Sequence, residues 1–250
     1  MAEQGRVVII TGGGGGIGRR YCAAFAEAGY RVVVADIRGS QEVASDLAAA
    51  GHEALAVAAD VSDEASVARL TGAAVAAYGR VDVLVNNAAY FSPIVKKPFE
   101  EITVGEWDKA FAINVRGAWL CARAVSPVMK SRGWGRIINT SSMTFHGGGI
   151  DGFAHYVSTK AAIVGLTRSL AKELGKHGIV VNTISPDYVE HEGELFQRQP
   201  EMAGILAQQR AIQRPGTMDD LIGPVLFLAS DAVGFITGQD IWVNGGRIFG

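Results

Sequence analysis

Thr11-Gly12-Gly13-Gly14-Gly15-Gly16-Ile17-Gly18 stands between a short β-branched run, Arg6 to Ile10, and the stretch Ile17 to Ala28, in which apolar residues recur at helical spacing. The order is strand, tight turn, helix. Glycine permits the turn and leaves backbone N–H groups at the positive end of the following helix open to a pyrophosphate. A dinucleotide is the ligand this arrangement points to, with Gly12, Gly16, Ile17 and Gly18 as the residues that would touch it. The run satisfies several spacings at once, G-x-G-x-x-G from Gly13 and both T-G-x-x-x-G-x-G and T-G-x-x-G-x-x-G from Thr11, so it does not choose among variants of the turn. No Lys-Ser or Lys-Thr follows it, which disfavours a P-loop nucleotidase.

The same rhythm continues outward. Strand-like runs at Arg31 to Ala35, Ala54 to Ala58, Val81 to Val85, Arg136 to Asn139, Val180 to Ile184 and Ile241 to Val243 alternate with helical periods near Glu42 to Ala50, Asp63 to Tyr78, Gly105 to Ser131 and Tyr156 to Leu174. Right-handed crossovers then place helices on both faces of a parallel sheet. The expected fold is α/β, a doubly wound Rossmann domain over residues 1–250. The polar, Glu- and Gln-rich stretch Tyr188 to Pro215 breaks the rhythm and reads as a mobile substrate lid within it.

Composition narrows the function classes. The chain has 250 residues, 48% apolar and 19% charged, enough for a core and unlike a disordered chain. A formal net charge of −2 gives no general attraction to nucleic acid or anionic lipid. Met1 to Arg6 lacks a basic-then-apolar leader, and no apolar run reaches the ~18 residues of a membrane span, so a cytoplasmic protein is expected. Cys22 and Cys121 are far apart, in helix-like stretches, and read as core thiols. His146, His155 and His191 show no metal-ligand spacing, so no metal is expected, and packing suffices for His155.

Asp36 ends the second strand, 18 residues beyond Gly18, where a carboxylate can accept hydrogen bonds from the adenosine ribose. A 2′-phosphate would meet a like charge there, partly offset by Arg38, so the cofactor expected beside Asp36 and Ile37 is NAD. Further on, Tyr156-Val157-Ser158-Thr159-Lys160 places a phenol and an ammonium one helical turn apart. A free phenol, with a pKa of about 10, is a poor base, but Lys⁺ and an oxidised nicotinamide favour its phenolate. Such a pair can take the proton of an alcohol as its carbon loses a hydride. Arg136-Ile137-Ile138-Asn139-Thr140-Ser141-Ser142 runs out of a strand at the sheet edge where α/β proteins bind ligands.

Together these residues resemble the short-chain dehydrogenase/reductase family from Thr11 to Gly246. The likeness takes in Asp60-Val61, Asn86-Asn87-Ala88, Asn114 in Ile113-Asn114-Val115, Ser142, Tyr156, Lys160 and Gly245-Gly246. The resemblance implies that Asp60 and Val61 hold adenine, and that Asn87, Ala88, Pro186 and Val189 line the cofactor. It also implies a catalytic tetrad. Ser142 would orient the reacting oxygen, Tyr156 exchange the proton, Lys160 lower the Tyr pKa and hold the nicotinamide ribose, and Asn114 steady a water linking Lys160 to solvent.

The sequence departs from the family pattern in places. Ser142 and Tyr156 are 14 residues apart, one more than usual, so the loop Gly147-Gly148-Gly149 is expected to bulge, and Ser141 stays open as an alternative. Pro186 is followed by Asp187 instead of glycine; aspartate tolerates positive φ better than most residues. His191 replaces a threonine that often contacts the nicotinamide amide. Ala89 stands where the family's Asn-Asn-Ala-Gly ends in glycine.

The expected substrate wall is Tyr90, Phe91, Met143, Phe145, Phe153 and Tyr188, joined by Asp187 and His191, which suits a small, partly hydrophobic secondary alcohol or ketone. Gly133 to Asn139 and His155-Tyr156 also resemble family members acting on aromatic secondary alcohols such as 1-phenylethanol, or on pyridoxal-like aldehydes. Two apolar stripes on the helix after Tyr156, Val157/Ala161/Val164 and Ile163/Leu166/Leu170/Leu174, lead to an expected homo-oligomer, a tetramer by resemblance. The alternatives are a 3-oxoacyl-carrier-protein-type reductase and a non-catalytic dinucleotide sensor; the sensor would have no need of both Tyr156 and Lys160. An epimerase or dehydratase would need a larger C-terminal domain than the roughly 65 residues after Pro186.

Overall fold

The computed structural model describes residues 5–147, 149, 151–190 and 201–250. Its main sheet is built from β1 (Val7–Thr11), β2 (Arg31–Asp36), β3 (Ala54–Ala58), β4 (Val83–Asn86), β5 (Gly135–Thr140), β6 (Ile179–Pro186) and β9 (Asp240–Val243). The strand order is β3-β2-β1-β4-β5-β6-β9, and every pairing is parallel. Continuous apolar strands of this type belong to sheets covered on both faces. Alternate side chains divide between two cores: Val8, Ile10, Val32, Val34, Val83 and Val85 on one face, and Val7, Ile9, Val33, Leu84, Ile137 and Val181 on the other. The doubly wound α/β fold read from the sequence is the fold observed.

Helices α1 (Gly16–Glu27), α2 (Ser40–Ala49), α3 (Glu64–Tyr78), α4 (Val104–Phe111), α5 (Gly117–Arg132) and α6 (Ala154–Leu174) cover the sheet. Their ends follow local chemistry. Asp63 caps α3 by accepting from the Ala65 and Ser66 N–H groups, and Thr103 and Glu106 form a capping box on α4. The helix expected over Gly105 to Ser131 is interrupted by a π-helical turn, Ala112–Arg116, centred on Asn114. The extra residue in that turn shifts helical phase, which brings Asn114 into the protein where its amide finds partners.

The sheet's order reverses between β1 and β4, so their outgoing connections diverge and open a crevice at the carboxyl edge. Strand β7 (Val189–Glu190) and helix α7 (Glu201–Gln208) occupy described parts of the stretch expected to form a lid, and β7 pairs in a small parallel ribbon with β8 (Gly216–Thr217), just beyond it. Residues 191–200, including His191, lie outside the described residues. Helix α8 (Ile222–Ala229), absent from the sequence reading, packs Val225, Leu228 and Ala229 into the core that holds Tyr21 and Phe25. Cys22 and Cys121 are buried free thiols, each pushed up to about 12 by burial. Among the described residues no helix is long and apolar enough to cross a membrane.

Candidate active site

The glycine turn is locked by close approach. A Cβ on Gly18 would overlap the Gly12 carbonyl, and one on Gly14 would overlap the Arg38 carbonyl. Helix α1 therefore begins tight against its own strand, with no side chain capping its first turn. Its leading N–H groups face a crevice of about 940 Å³ lined by Gly12, Gly15 to Gly18, Asp36, Asn87, Ala88 and Phe91. That is ample for a dinucleotide, since ligand pockets run to roughly 300–1,000 Å³. The carboxylate of Asp36 accepts from Gly14 N at 3.0 Å and Arg38 N at 3.1 Å, which fixes it at the crevice wall. Lone pairs remain on both oxygens for ribose hydroxyls. Ile37 is exposed beside it.

Asn87 donates through Nδ2 to the Thr11 and Gly12 carbonyls, both at 3.2 Å, while Thr11 Oγ1 accepts from the Asn87 and Ala88 N–H groups at 3.1 Å. These bonds tie the β4 loop to the glycine turn. Asp60 is exposed and accepts from the Ser62 N–H and hydroxyl, and Val61 is buried against Gly117 of α5. Pro186 ends β6, and Val189 is buried in a short ribbon.

At the same edge, Ser142 follows β5 and Tyr156 and Lys160 occupy the first turns of α6. Burial pushes the Tyr156 phenol up to about 12, and the adjacent Ser142 hydroxyl opposes that shift. Burial also lowers Lys160, to about 8, and its Nζ donates to the Thr140 carbonyl at 2.8 Å and lies 5.6 Å from the phenol ring centre. Burial is the largest influence on the phenol, and the Lys160 ammonium is engaged by the Thr140 carbonyl. Ser141 is turned into α6, where its hydroxyl donates to the Lys160 carbonyl at 2.7 Å, leaving Ser142 as the hydroxyl beside Tyr156.

Asn114 is buried with both ends of its amide engaged. Its Oδ1 accepts from Tyr90 N at 2.6 Å, and its Nδ2 donates to Thr159 Oγ1 at 2.9 Å. The π-helical turn thus joins the β4 loop to the residue preceding Lys160. A second buried chain, Asn86 to Asn139 to Thr167 with Thr183 also on Thr167, every link 2.8 Å, fixes α6 against the sheet.

Phe91 lies with its ring centre 4.6 Å from that of Tyr156 and 6.1 Å from that of Phe153, forming an aromatic wall. Tyr90 faces the Lys109 ammonium at 4.9 Å, while Met143 is fully buried. Phe145 stacks on His146, which pairs with Asp240 at 2.7 Å and contacts Trp242. The extra residue between Ser142 and Tyr156 falls in a loop with positive-φ glycines at Gly149 and Gly152; Gly148 lies outside the described residues. His155 is buried, its Nδ1 without a described partner, and burial lowers its pKa. Asp187 does not adopt positive φ. Its carboxylate is clamped by Arg210 and Arg247, a cluster the sequence reading missed because its members are distant in the chain. Tyr188 contributes its carbonyl to Arg210 at 2.7 Å.

Residues 12–247 match the sequence model of a family described as enoyl-(acyl carrier protein) reductase. The (2S)-[(R)-hydroxy(phenyl)methyl]succinyl-CoA dehydrogenase subunit BbsD of Thauera aromatica is 36% identical over 250 residues, covering 99% of this chain and 98% of its own. The 3-oxoacyl-acyl-carrier-protein reductase of Staphylococcus aureus is 36% identical over 242 residues, 95% of this chain and 96% of its own. A structure from Beutenbergia cavernae, with NADP bound at low occupancy, superposes with a TM-score of 0.89 at 38% identity over 98% of both chains. The chain belongs to the short-chain dehydrogenase/reductase family. It is an NAD(P)-type oxidoreductase acting on CH–OH groups.

Proposed function

We propose that the protein moves a hydride between NAD and a small, partly hydrophobic secondary alcohol or ketone, with Tyr156 exchanging the proton. The observation that carries this reading is the placement of the Tyr156 phenol beside the Ser142 hydroxyl and the Phe91–Phe153 wall, at the sheet edge that holds the dinucleotide crevice. The dinucleotide, when bound, supplies the hydride acceptor or donor. Ser142 orients the substrate oxygen, and Tyr156 accepts its proton in oxidation or returns one in reduction. Lys160, anchored on Thr140, sets the charge near the phenol. Gly12, Gly16 and the first turn of α1 would hold the pyrophosphate, and Asp36 the ribose.

NAD is favoured because the Asp36 carboxylate, fixed by two backbone N–H groups, repels a 2′-phosphate. The aromatic wall fits a ring-bearing alcohol, and the Thauera relative is named for a phenyl-bearing alcohol substrate. Reduction of a 3-oxoacyl carrier protein is the second reading, supported by the Staphylococcus relative. A homo-oligomer belongs to the same proposal, since Leu166 and Leu170 of α6 are only partly covered and Trp119 of α5 is 40% exposed. The test is a panel of secondary alcohols, ketones and a 3-oxoacyl thioester, followed by reduced-nicotinamide absorbance with NAD and NADP side by side. Turnover on alcohols with NAD supports the reading; turnover on the thioester with NADPH alone overturns it.

A further inference from the structure

The carboxylate of Asp187 takes two guanidinium groups in a nearly closed pocket. Arg247 grips it bidentately, Nε to Oδ2 at 2.9 Å and Nη2 to Oδ1 at 2.8 Å, and Arg210 Nη2 donates to Oδ2 at 3.0 Å. The side chains of Asp187 and Arg210 are 6% and 5% exposed. Arg210 also donates to the carbonyls of Tyr188 and Arg214, and its Nε is buried without a partner among the described residues. Two cations against one anion leave a net positive charge where water is scarce. Among the described residues Arg214 is paired with Asp220, and Asp240 is engaged by His146, Ser185 and Trp242. A desolvated excess charge is costly unless something answers it.

The cluster adjoins the chain that leads away from Ser142. Pro186 O accepts from Met143 N at 2.9 Å, so Asp187 follows directly on the residue that holds the chain just after Ser142. A Cβ on Gly147 would lie 3.8 Å from Arg247 Nη2, so Arg247 borders the loop that leads from Ser142. Of the two arginines it is the more open, at 19%, and its Nη1 has no partner among the described residues. Asp187 fixes one edge of the guanidinium fork. The other edge is pre-oriented to donate to a second carboxylate.

We propose that Arg247, positioned by Asp187 and backed by the charge of Arg210, recognises a carboxylate carried by the substrate. The substrate class is then a secondary hydroxy acid, or its keto acid, whose apolar body spans from the Phe91–Phe153 wall to Arg247. Naming the substrate a hydroxy acid or keto acid rests on the alcohol–ketone reading proposed above; the carboxylate contact with Arg247 does not.

Cyclohexanecarboxylate and cyclohexanecarboxamide test it. They share a shape, differ in charge and cannot be oxidised as alcohols, so binding is read apart from turnover. Calorimetry on the whole chain saturated with NADH, and again with NADPH, should show the acid bound about tenfold or more tightly than the amide. Arg247→Gln should bring that ratio close to one. Asp187→Asn, which frees positive charge, should raise it, a direction that general loss of folding cannot produce. Equal binding of acid and amide, or an acid preference that survives Arg247→Gln, overturns the assignment. An acid preference that depends on Arg247 in a protein that turns over no alcohol or ketone overturns only the reading of the reaction. Turnover of neutral ketones without any acid preference overturns only the role of Arg247.

Discussion

Asn114 Nδ2 donates to Thr159 Oγ1 at 2.9 Å, so a residue in a π-helical turn holds the residue next to Lys160. Thr159 Oγ1 in turn donates to the Tyr156 carbonyl at 2.7 Å, and Asn114 Oδ1 accepts from Tyr90 N. Asn114→Leu keeps the branched shape at a larger volume and removes both bonds. It should cost about 1–3 kcal/mol in urea denaturation, because the Tyr90 N–H loses its acceptor. Turnover should fall about 10²-fold through displacement of the first turns of α6. Unchanged turnover would show that α6 is held well enough by the Asn139–Thr167 chain alone.

Lys160 and Tyr156 are displaced apart on the pH scale, the ammonium down to about 8 and the phenol up to about 12, each by burial. Oxidation needs the phenolate, so its kcat/KM should rise with pH across the neutral range, while reduction should not. The stability consequence has the opposite sign to that of a paired lysine. Between about 8 and the ordinary value of 10.5 the unfolded chain binds more protons at this position than the folded one. Stability from Lys160 therefore grows as pH rises through that window and is lost as pH falls through about 8. Lys160→Met should erase this dependence, so the stability difference between wild type and variant should move in favour of wild type from pH 7 to pH 10. A difference that stays flat would show an ammonium that is not desolvated. Tyr156→Phe should lower turnover by about 10²–10⁴-fold while NADH binding, followed by fluorescence, persists.

How much of this was readable beforehand depended on distance along the chain. The glycine turn and Asp36 lie within one strand–helix–strand unit, and Tyr156 and Lys160 one helical turn apart, so spacing alone placed them. The π-helical turn at Asn114 was not readable, because one added residue barely disturbs an apolar period that resumes at once in α5. Helix α8 is apolar nearly all round and so shows no face. Asp187 was read for its tolerance of positive φ, yet its φ is not positive; its partners stand 23 and 60 residues away. The high phenol pKa came from desolvation, which no spacing reveals.

Asp36→Ala separates two roles of one carboxylate. It removes the acceptor of the Gly14 and Arg38 N–H groups and the charge that opposes a 2′-phosphate. The ratio of kcat/KM for NAD over NADP should fall by at least tenfold, most of it through a higher KM for NAD. Because both N–H groups lie at the surface of the crevice, thermal stability should drop by no more than about 1 kcal/mol. A ratio that does not move would remove Asp36 from cofactor selection.

Asp82 offers a test at the opposite edge of the sheet. It precedes β4, its side chain is 2% exposed, and it accepts from Val7 N at 2.8 Å and from Arg80 at 2.6 and 2.7 Å. The Val7 bond joins β1 to the entrance of β4, the two strands that flank the crevice at their other ends. Asp82→Ala would leave a buried N–H without its acceptor and Arg80 without its counter-ion. Because Arg80 is 29% exposed, water recovers part of the loss, so a cost of about 2–3 kcal/mol is expected rather than the 3–5 of a fully buried pair. Asp82→Asn retains an acceptor for Val7 and should cost less than half as much. Neither change alters the carboxyl edge, so the kcat/KM of the folded fraction should stay within about twofold of wild type, a limit set by the additivity of distant sites. A larger fall in turnover at full folding would mean that the spacing of β1 and β4 is set from this end of the sheet and transmitted along both strands to the crevice.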